Sequence, residues 1–201
     1  MRSEQNAGFK KIVNDAALVV PDSVGVVWAC RRAGAAIKER VPGIDILYAA
    51  ARENSRFPWR IFFLGALPGV AEAAAEKLRS DYPGFNVVGT HHGYFKDNLE
   101  VIEKIKAASP DVLFIAMGSP AQEEWFVRNA GKLGNVVAIG VGGSFDVASG
   151  NLKRAPAIFQ RLGLEWLHRL ITQPSRIYRM LVLPVFAIKV ILAGSKIKEE
   201  L

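Results

Sequence analysis

Asp22 follows Pro21 at the end of the apolar run Leu18-Val19-Val20. A carboxylate held there can act as a general base, drawing the proton from a hydroxyl as that hydroxyl attacks an electrophilic carbon. The same position also suits a turn or a helix N-cap, which contributes about 1 kcal/mol without any chemistry. Four glycine-rich turns recur further along, at 65–69 (GALPG), 89–93 (GTHHG), 118–122 (GSPAQ) and 140–146 (GVGGSFD). Where such a turn opens a helix, backbone N–H groups point outward with the positive end of the helix dipole behind them, an arrangement that suits a diphosphate. Gly118, Gly142 and Gly143 lie in these turns. Gln122 and Asp146 close two of them, although on spacing alone Gln122 and the adjacent Glu123 also read as ordinary first-turn polar residues. Arg40, in Glu39-Arg40-Val41-Pro42, reads equally as a solvated loop charge.

Several chemistries are disfavoured. The sequence holds neither GxGxxG nor GxxxxGK[ST], which argues against an ordinary dinucleotide site and a P-loop. It also lacks Asp-x-Asp, the usual metal clamp of sugar-nucleotide enzymes, so arginines and helix dipoles must meet any diphosphate charge. His91 and His92 are adjacent and point in different directions in an extended segment. No partner stands at metal-ligand spacing, so neither a metal site nor a cofactor is expected. Cys30 is the only cysteine; it excludes an intrachain disulfide and fits a small core residue in a reducing, cytoplasmic compartment.

The elements that must position these residues alternate. Leu18–Val20 reads as a short strand with Asp22 at its carboxyl end, followed by a small-residue helix over 23–36. Strands are expected at 60–65, 86–89, 111–118 and 135–143, and helices at 68–79, 98–108 and 120–132. The continuous hydrophobicity of 135–143 suits a parallel strand covered on both faces. This is an α/β pattern, a Rossmann-like parallel sheet with helices on both faces, in which ligands bind beyond the carboxyl ends of the strands.

After residue 150 the pattern changes to a C-terminal helical appendage, so a division into 1–150 and 151–201 is expected. Residues 157–171 carry Phe159, Leu162, Trp166, Leu167 and Leu170 at helical spacing, and 175–192 is an apolar segment interrupted by Pro184 and Lys189. The formal net charge is +7, and 150–201 holds nine basic residues against three acidic ones. Such a tail is either a solvated face over a core or a contact with an anionic membrane surface. No stretch is apolar for the length a spanning helix needs, and the N-terminus has no signal-peptide core. Nucleic acid is not expected as a partner, because no readout motif accompanies the charge. Homo-oligomerisation stays open.

Read together, VPDSVGVVWA (20–29), ERVPGIDIL (39–47), FFLGALPGVAE (62–72), VVGTHHGYF (87–95), MGSPAQEEW (117–125), GVGGSFDVASGNLKRAP (140–156) and LGLEWLHRLITQPSRIYR (162–179) resemble the WecG/TagA/CpsF glycosyltransferases in order and over nearly the whole chain. The resemblance implies transfer of an N-acetylhexosamine, N-acetylmannosamine or its uronic acid, from a UDP-sugar donor to a polyprenyl-diphosphate-linked N-acetylglucosamine. The transfer would invert configuration without an obligatory metal, at the inner face of the plasma membrane, in teichoic acid or surface polysaccharide synthesis. It places the aspartate of the family's PDG motif on Asp22 as general base, with Ser23 where glycine is usual. Its pocket arginine falls on Arg40, its nucleotide-facing glutamine and aspartate on Gln122 and Asp146, and its appendage arginines on Arg169, Arg176 and Arg179, which would grip the acceptor diphosphate. Family members usually carry further strands and a Thr-x-Asn-x-Glu-like stretch before this motif. This sequence starts inside the helix leading to it, so an inactive UDP- and membrane-binding module stands as a second reading.

Overall fold

The computed structural model describes residues 6–172 and 182–192. In chain order the elements are α1 (Ala7–Asn14), α2 (Val24–Arg32), α3 (Gly43–Glu53), β1 (Ile61–Gly65), α4 (Val70–Asp81), β2 (Val87–His91), α5 (Asn98–Ala108), β3 (Val112–Ala116), α6 (Ala121–Leu133), β4 (Val137–Gly140), α7 (Ser144–Ala148), α8 (Ala157–Arg161), α9 (Glu165–Thr172) and α10 (Val182–Leu192). They form two compact units. A sheet unit comprises Arg2–Ala17 and Pro42–Lys153, and a helical unit gathers Leu18–Val41 with Arg154–Leu201.

The sheet unit has four parallel strands in the order β2-β1-β3-β4. Successive side chains of a strand point to opposite faces, and here both faces are covered. Ile61 and Phe63 of β1 join Phe114 and Ala116 of β3 against Ile44, Leu47, Ala74, Leu78 and Phe145. Phe62 and Leu64 join Leu113 and Ile115 against Val101, Ile102, Ile105 and Trp125. Every residue of β1 is consequently buried, which is why its sequence IFFLG does not alternate. The α/β class with helices on both faces is as expected.

Three details depart from the sequence pattern. Residues 18–20 form no strand. Leu18 and Val19 are 79% and 59% exposed, because β propensity needs a neighbouring strand to act on and none pairs with this run. The fifth expected strand shortens to β4, an edge strand with Val137 at 62% exposure, so its apolar run does not reflect cover on both faces. The sequence pattern assigns no element to 43–53, yet α3 forms there. Pro42 gives the extended entry, and Ile44, Leu47 and Ala51 at i, i+3 and i+7 pack onto the sheet.

In the helical unit, the single amphipathic helix expected over 157–171 is broken in two. Gly163 adopts φ +70°, its N–H donates to the Gln160 carbonyl at 3.1 Å, and the Leu164 N–H donates to the Phe159 carbonyl at 2.8 Å. These paired bonds are a Schellman C-cap, which glycine accommodates without a Cβ penalty. A Cβ on Gly163 would also approach Val24 Cγ1 of α2 to 2.7 Å. The break makes Glu165 the first residue of a new helix rather than the middle of an old one. Helix α10 lies on α2 where Gly25 leaves room for the Phe186 ring.

Candidate functional site

Strand β1 leads through α4 to β2 on one side of the sheet, whereas β3 leads through α6 to β4 on the other. The carboxyl ends of β1 and β3 are thus a topological switch point, the position where open α/β sheets bind ligands. Backbones meet closely there. Gly65, at φ +133°, packs so tightly on β3 that a Cβ would fall 2.5 Å from the Ala116 carbonyl carbon and oxygen. Ala66 N–H donates to the Ala116 carbonyl and Gly93 N–H to the Ala66 carbonyl, each at 2.9 Å. Glycine is what allows these three loop segments to converge.

On the β3 and β4 side, Gln122 is the organiser. Its backbone N–H donates to the Gly118 carbonyl at 3.0 Å, its Oε1 accepts from Gly142 N–H at 3.1 Å, and its Nε2 donates to Glu123 Oε1 at 2.8 Å. The side chain is 6% exposed and lies flush against Gly140, where a Cβ would stand 2.3 Å from Nε2. Gln122 therefore stitches the loop after β3 to the loop after β4 and brings Gly118 and Gly142 together. Gly143 precedes α7, with Asp146 Oδ2 3.7 Å from where its Cβ would be. The Asp146 carbonyl accepts from Leu152 N–H at 2.8 Å.

Among the described residues two buried carboxylate oxygens, Glu72 Oε2 and Glu123 Oε2, have no hydrogen-bond partner and flank this mouth. Glu72 lies in the first turn of α4, where its Oε1 accepts from Thr90 Oγ1 at 3.2 Å; Glu123 lies in the first turn of α6. An orphaned buried acceptor costs about 1–3 kcal/mol, so each fits a site completed by a ligand donor such as a hydroxyl. Spacing gives Glu72 no role and gives Glu123 only that of a first-turn polar residue. His91 Nδ1 is 2.8 Å from the His92 carbonyl oxygen. Among the described residues no three His, Cys, Asp or Glu side chains gather to hold a metal ion.

In the helical unit the chain beside Asp22 is joined to the chain beside Arg40. Val41 N–H donates to the Pro21 carbonyl at 2.8 Å, which joins the residues adjoining both. The N-cap of α2 is Ser23, whose Oγ accepts from Val26 N–H at 3.2 Å, so capping is done by the residue that replaces the motif glycine and not by Asp22. Arg31 braces the returning loop, with Nε donating to the Ile37 carbonyl at 2.9 Å and Nη2 to that of Lys38.

Arg40 Nη1 lies 2.5 Å from Glu165 Oε2, and Arg154 Nε lies 3.4 Å from Glu165 Oε1. All three side chains are largely buried, between 16% and 24% exposed. Burial pushes the Glu165 carboxyl up, but the hydrogen bond and charge of Arg40, with Arg154 beside them, outweigh it and hold the group below the usual carboxylate range. Sequence reasoning missed Glu165 as a site residue. It is 125 positions from Arg40, and only the isolated Gly163 hinted that a helix begins there.

A cavity of about 380 Å³ opens in the same unit. Among the described residues Val24, Val27, Trp28 and Leu162 form its apolar wall, and Arg31, Lys38, Arg40 and Arg161 against Glu39 make it cationic. Of the appendage arginines, Arg169 is in α9 with its side chain outside what is described, and Arg176 and Arg179 lie outside the described residues.

The profile of the family described as "Glycosyl transferase WecG/TagA/CpsF family" matches residues 1–200. The chain is 38% identical over 187 residues to the N-acetylglucosaminyldiphosphoundecaprenol N-acetyl-beta-D-mannosaminyltransferase of Bacillus spizizenii W23, covering 93% of the chain and 73% of that protein. It is 36% identical over 192 residues to the Staphylococcus aureus NCTC 8325 protein of the same name, covering 95% of the chain and 75% of that protein.

Proposed function

This chain belongs to the WecG/TagA/CpsF family of glycosyl transferases, and from that premise we propose that it transfers N-acetylmannosamine or its uronic acid from UDP to polyprenyl-diphosphate-linked N-acetylglucosamine. The observation that carries this reading is the likeness, over 93–95% of the chain, to two transferases named for that donor sugar and that acceptor. The same likeness favours an active transferase over an inactive binding module. The sheet unit supports it, because the glycine-lined mouth suits a nucleotide diphosphate and the orphan oxygens of Glu72 and Glu123 suit the hydroxyls of a sugar or ribose.

In this reading Asp22 takes the proton of the acceptor hydroxyl as that oxygen attacks the anomeric carbon; the bond to UDP breaks and configuration inverts. Arg40 meets diphosphate charge, with guanidinium geometry matched to phosphate oxygens. Gly118, Gly142 and Gly143 line the donor pocket that Gln122 and Asp146 shape, and Arg169, Arg176 and Arg179 hold the acceptor diphosphate. The test is a transfer assay with a panel of UDP-sugars and a lipid-diphosphate N-acetylglucosamine acceptor, with and without EDTA. Failure of every donor would overturn the reading. Within it, Gln122→Ala removes the acceptor that holds Gly142 N–H, and UDP affinity by calorimetry is expected to fall about tenfold, the worth of one organising hydrogen bond.

The enzyme works at an anionic membrane surface, as a peripheral protein on the inner face. Among the described residues no helix is long and apolar enough to cross a membrane. Yet α10 buries only Val190, and Val185, Ile188 and Leu192 stand 47%, 56% and 79% exposed. Apolar surface beside basic residues is what lies in a lipid interface. The full chain is expected to sediment with vesicles containing phosphatidylglycerol and to stay in solution once residues 173–201 are deleted. Continued sedimentation of the shortened chain would refute the anchor.

A further inference from the structure

Arg40 contributes to the wall of the cationic cavity, and Glu165 and Arg154 do not. Glu165 therefore meets Arg40 without itself standing in that wall. A carboxylate competing for the ligand's place would itself line that space. Its two oxygens are divided between two guanidiniums, Oε2 to Arg40 and Oε1 to Arg154. Each arginine comes from a different stretch of chain, so the carboxylate also ties the 40 loop to the segment entering the appendage.

The position of Glu165 has a local cause. The Schellman turn at Gly163 starts α9 at Glu165, and an acidic side chain in a helix's first turn is favoured by the dipole. The same turn places Leu162 and Gly163 in the cavity wall. One glycine thus shapes the cavity and sets the carboxylate behind its arginine. A guanidinium on a flexible stem has rotamer freedom to lose, and a fixed partner removes that freedom before any ligand arrives.

We propose that Glu165 is the positioning residue of this site, holding the Arg40 guanidinium in the cavity wall so that it meets a diphosphate there. The reaction served is the one proposed above, and the inference rests on that reading. Glu165 itself touches no substrate.

Two explanations of Glu165 predict opposite signs. If the carboxylate merely offset the cavity's charge, its removal would tighten anion binding, since one repulsive charge is gone. If it positions Arg40, removal loosens binding despite the gain in net positive charge. The probe is inorganic diphosphate, titrated calorimetrically into the full chain, with Glu165→Ala, Glu165→Gln, Glu165→Asp, Arg40→Ala and the Arg40→Ala, Glu165→Ala double variant. Circular dichroism verifies the fold, and Glu165→Gln, which keeps the side-chain volume, serves where alanine disturbs it.

Glu165→Ala and Glu165→Gln are expected to weaken diphosphate binding and to lower kcat/KM about tenfold, as the loss of one charge-assisted bond implies. Glu165→Asp should recover part of both. In the Arg40→Ala background the second substitution should change neither by more than about twofold, because residues acting through one group are not additive. Tighter or unchanged diphosphate binding by Glu165→Gln overturns the proposal, and so do losses that multiply in the double variant. A wild-type protein that binds diphosphate but transfers no sugar overturns the function reading alone, and the binding cycle then still decides the role of Glu165.

Discussion

Asparagine in place of Asp22 is expected to lower kcat by about 10²–10⁴-fold, the range that a positioned general base contributes. Affinity for UDP should stay within about twofold of wild type, since a proton acceptor acts on the transition state and not on donor binding. The structure makes this substitution clean. Asp22 is exposed and the cap of α2 rests on Ser23, so exchanging the carboxylate for an amide leaves the start of the helix intact. Asparagine keeps the volume and polarity and loses the negative charge together with the ability to accept a full proton. Single-turnover measurement with saturating donor and acceptor separates the chemical step from binding. Turnover at the wild-type rate would remove Asp22 from the mechanism and direct attention to another carboxylate.

The second large effect is on stability. Gly65→Ala is expected to cost about 2–6 kcal/mol, combining a strained left-handed backbone with an overpacked contact. The contact cannot relax cheaply, because the atoms in the way are the backbone carbon and oxygen of Ala116, 2.5 Å from the new Cβ, and Ala116 is paired with Gly65 in the central ladder. Against a typical stability of about 5–15 kcal/mol such a loss is large. Gly69→Ala is the control: it also has positive φ, at +83°, but nothing lies within 4 Å of its Cβ, so only the left-handed strain of about 1–2 kcal/mol applies. Urea denaturation of both variants compares them directly. Equal midpoints would show that the close approach to Ala116 carries no cost.

The sheet was legible in the sequence wherever both faces of a strand are covered, because burial then imposes a continuous apolar run. Ile61–Gly65 and Val112–Ala116 are of this kind, and Asn98–Ala108 was equally plain as a helix with Val101, Ile102 and Ile105 on one face. The pattern misled where tertiary partners decide. Val19 and Val20 have strand-like side chains but no strand to pair with, and Val137 is apolar at an open edge. The site divides in the same way. Glycine turns and the Asp22 position show locally, since each depends on a few neighbouring residues. The Arg40, Glu165 and Arg154 cluster does not, because its members meet only after Gly163 has broken a helix that hydrophobic periodicity alone would continue.

The bond from Val41 N–H to the Pro21 carbonyl relieves the stretch between its ends of a duty. The separation of the Asp22 and Arg40 α-carbons is set by one main-chain link beside them, not by how residues 33–39 run from one to the other. That stretch has latitude at its exposed side chains, while Ala33 is buried, Gly34 holds φ +93° and the Arg31 brace keeps its two carbonyl partners. Proline at position 41 would be the exception, since it alone lacks the donor on which the arrangement depends.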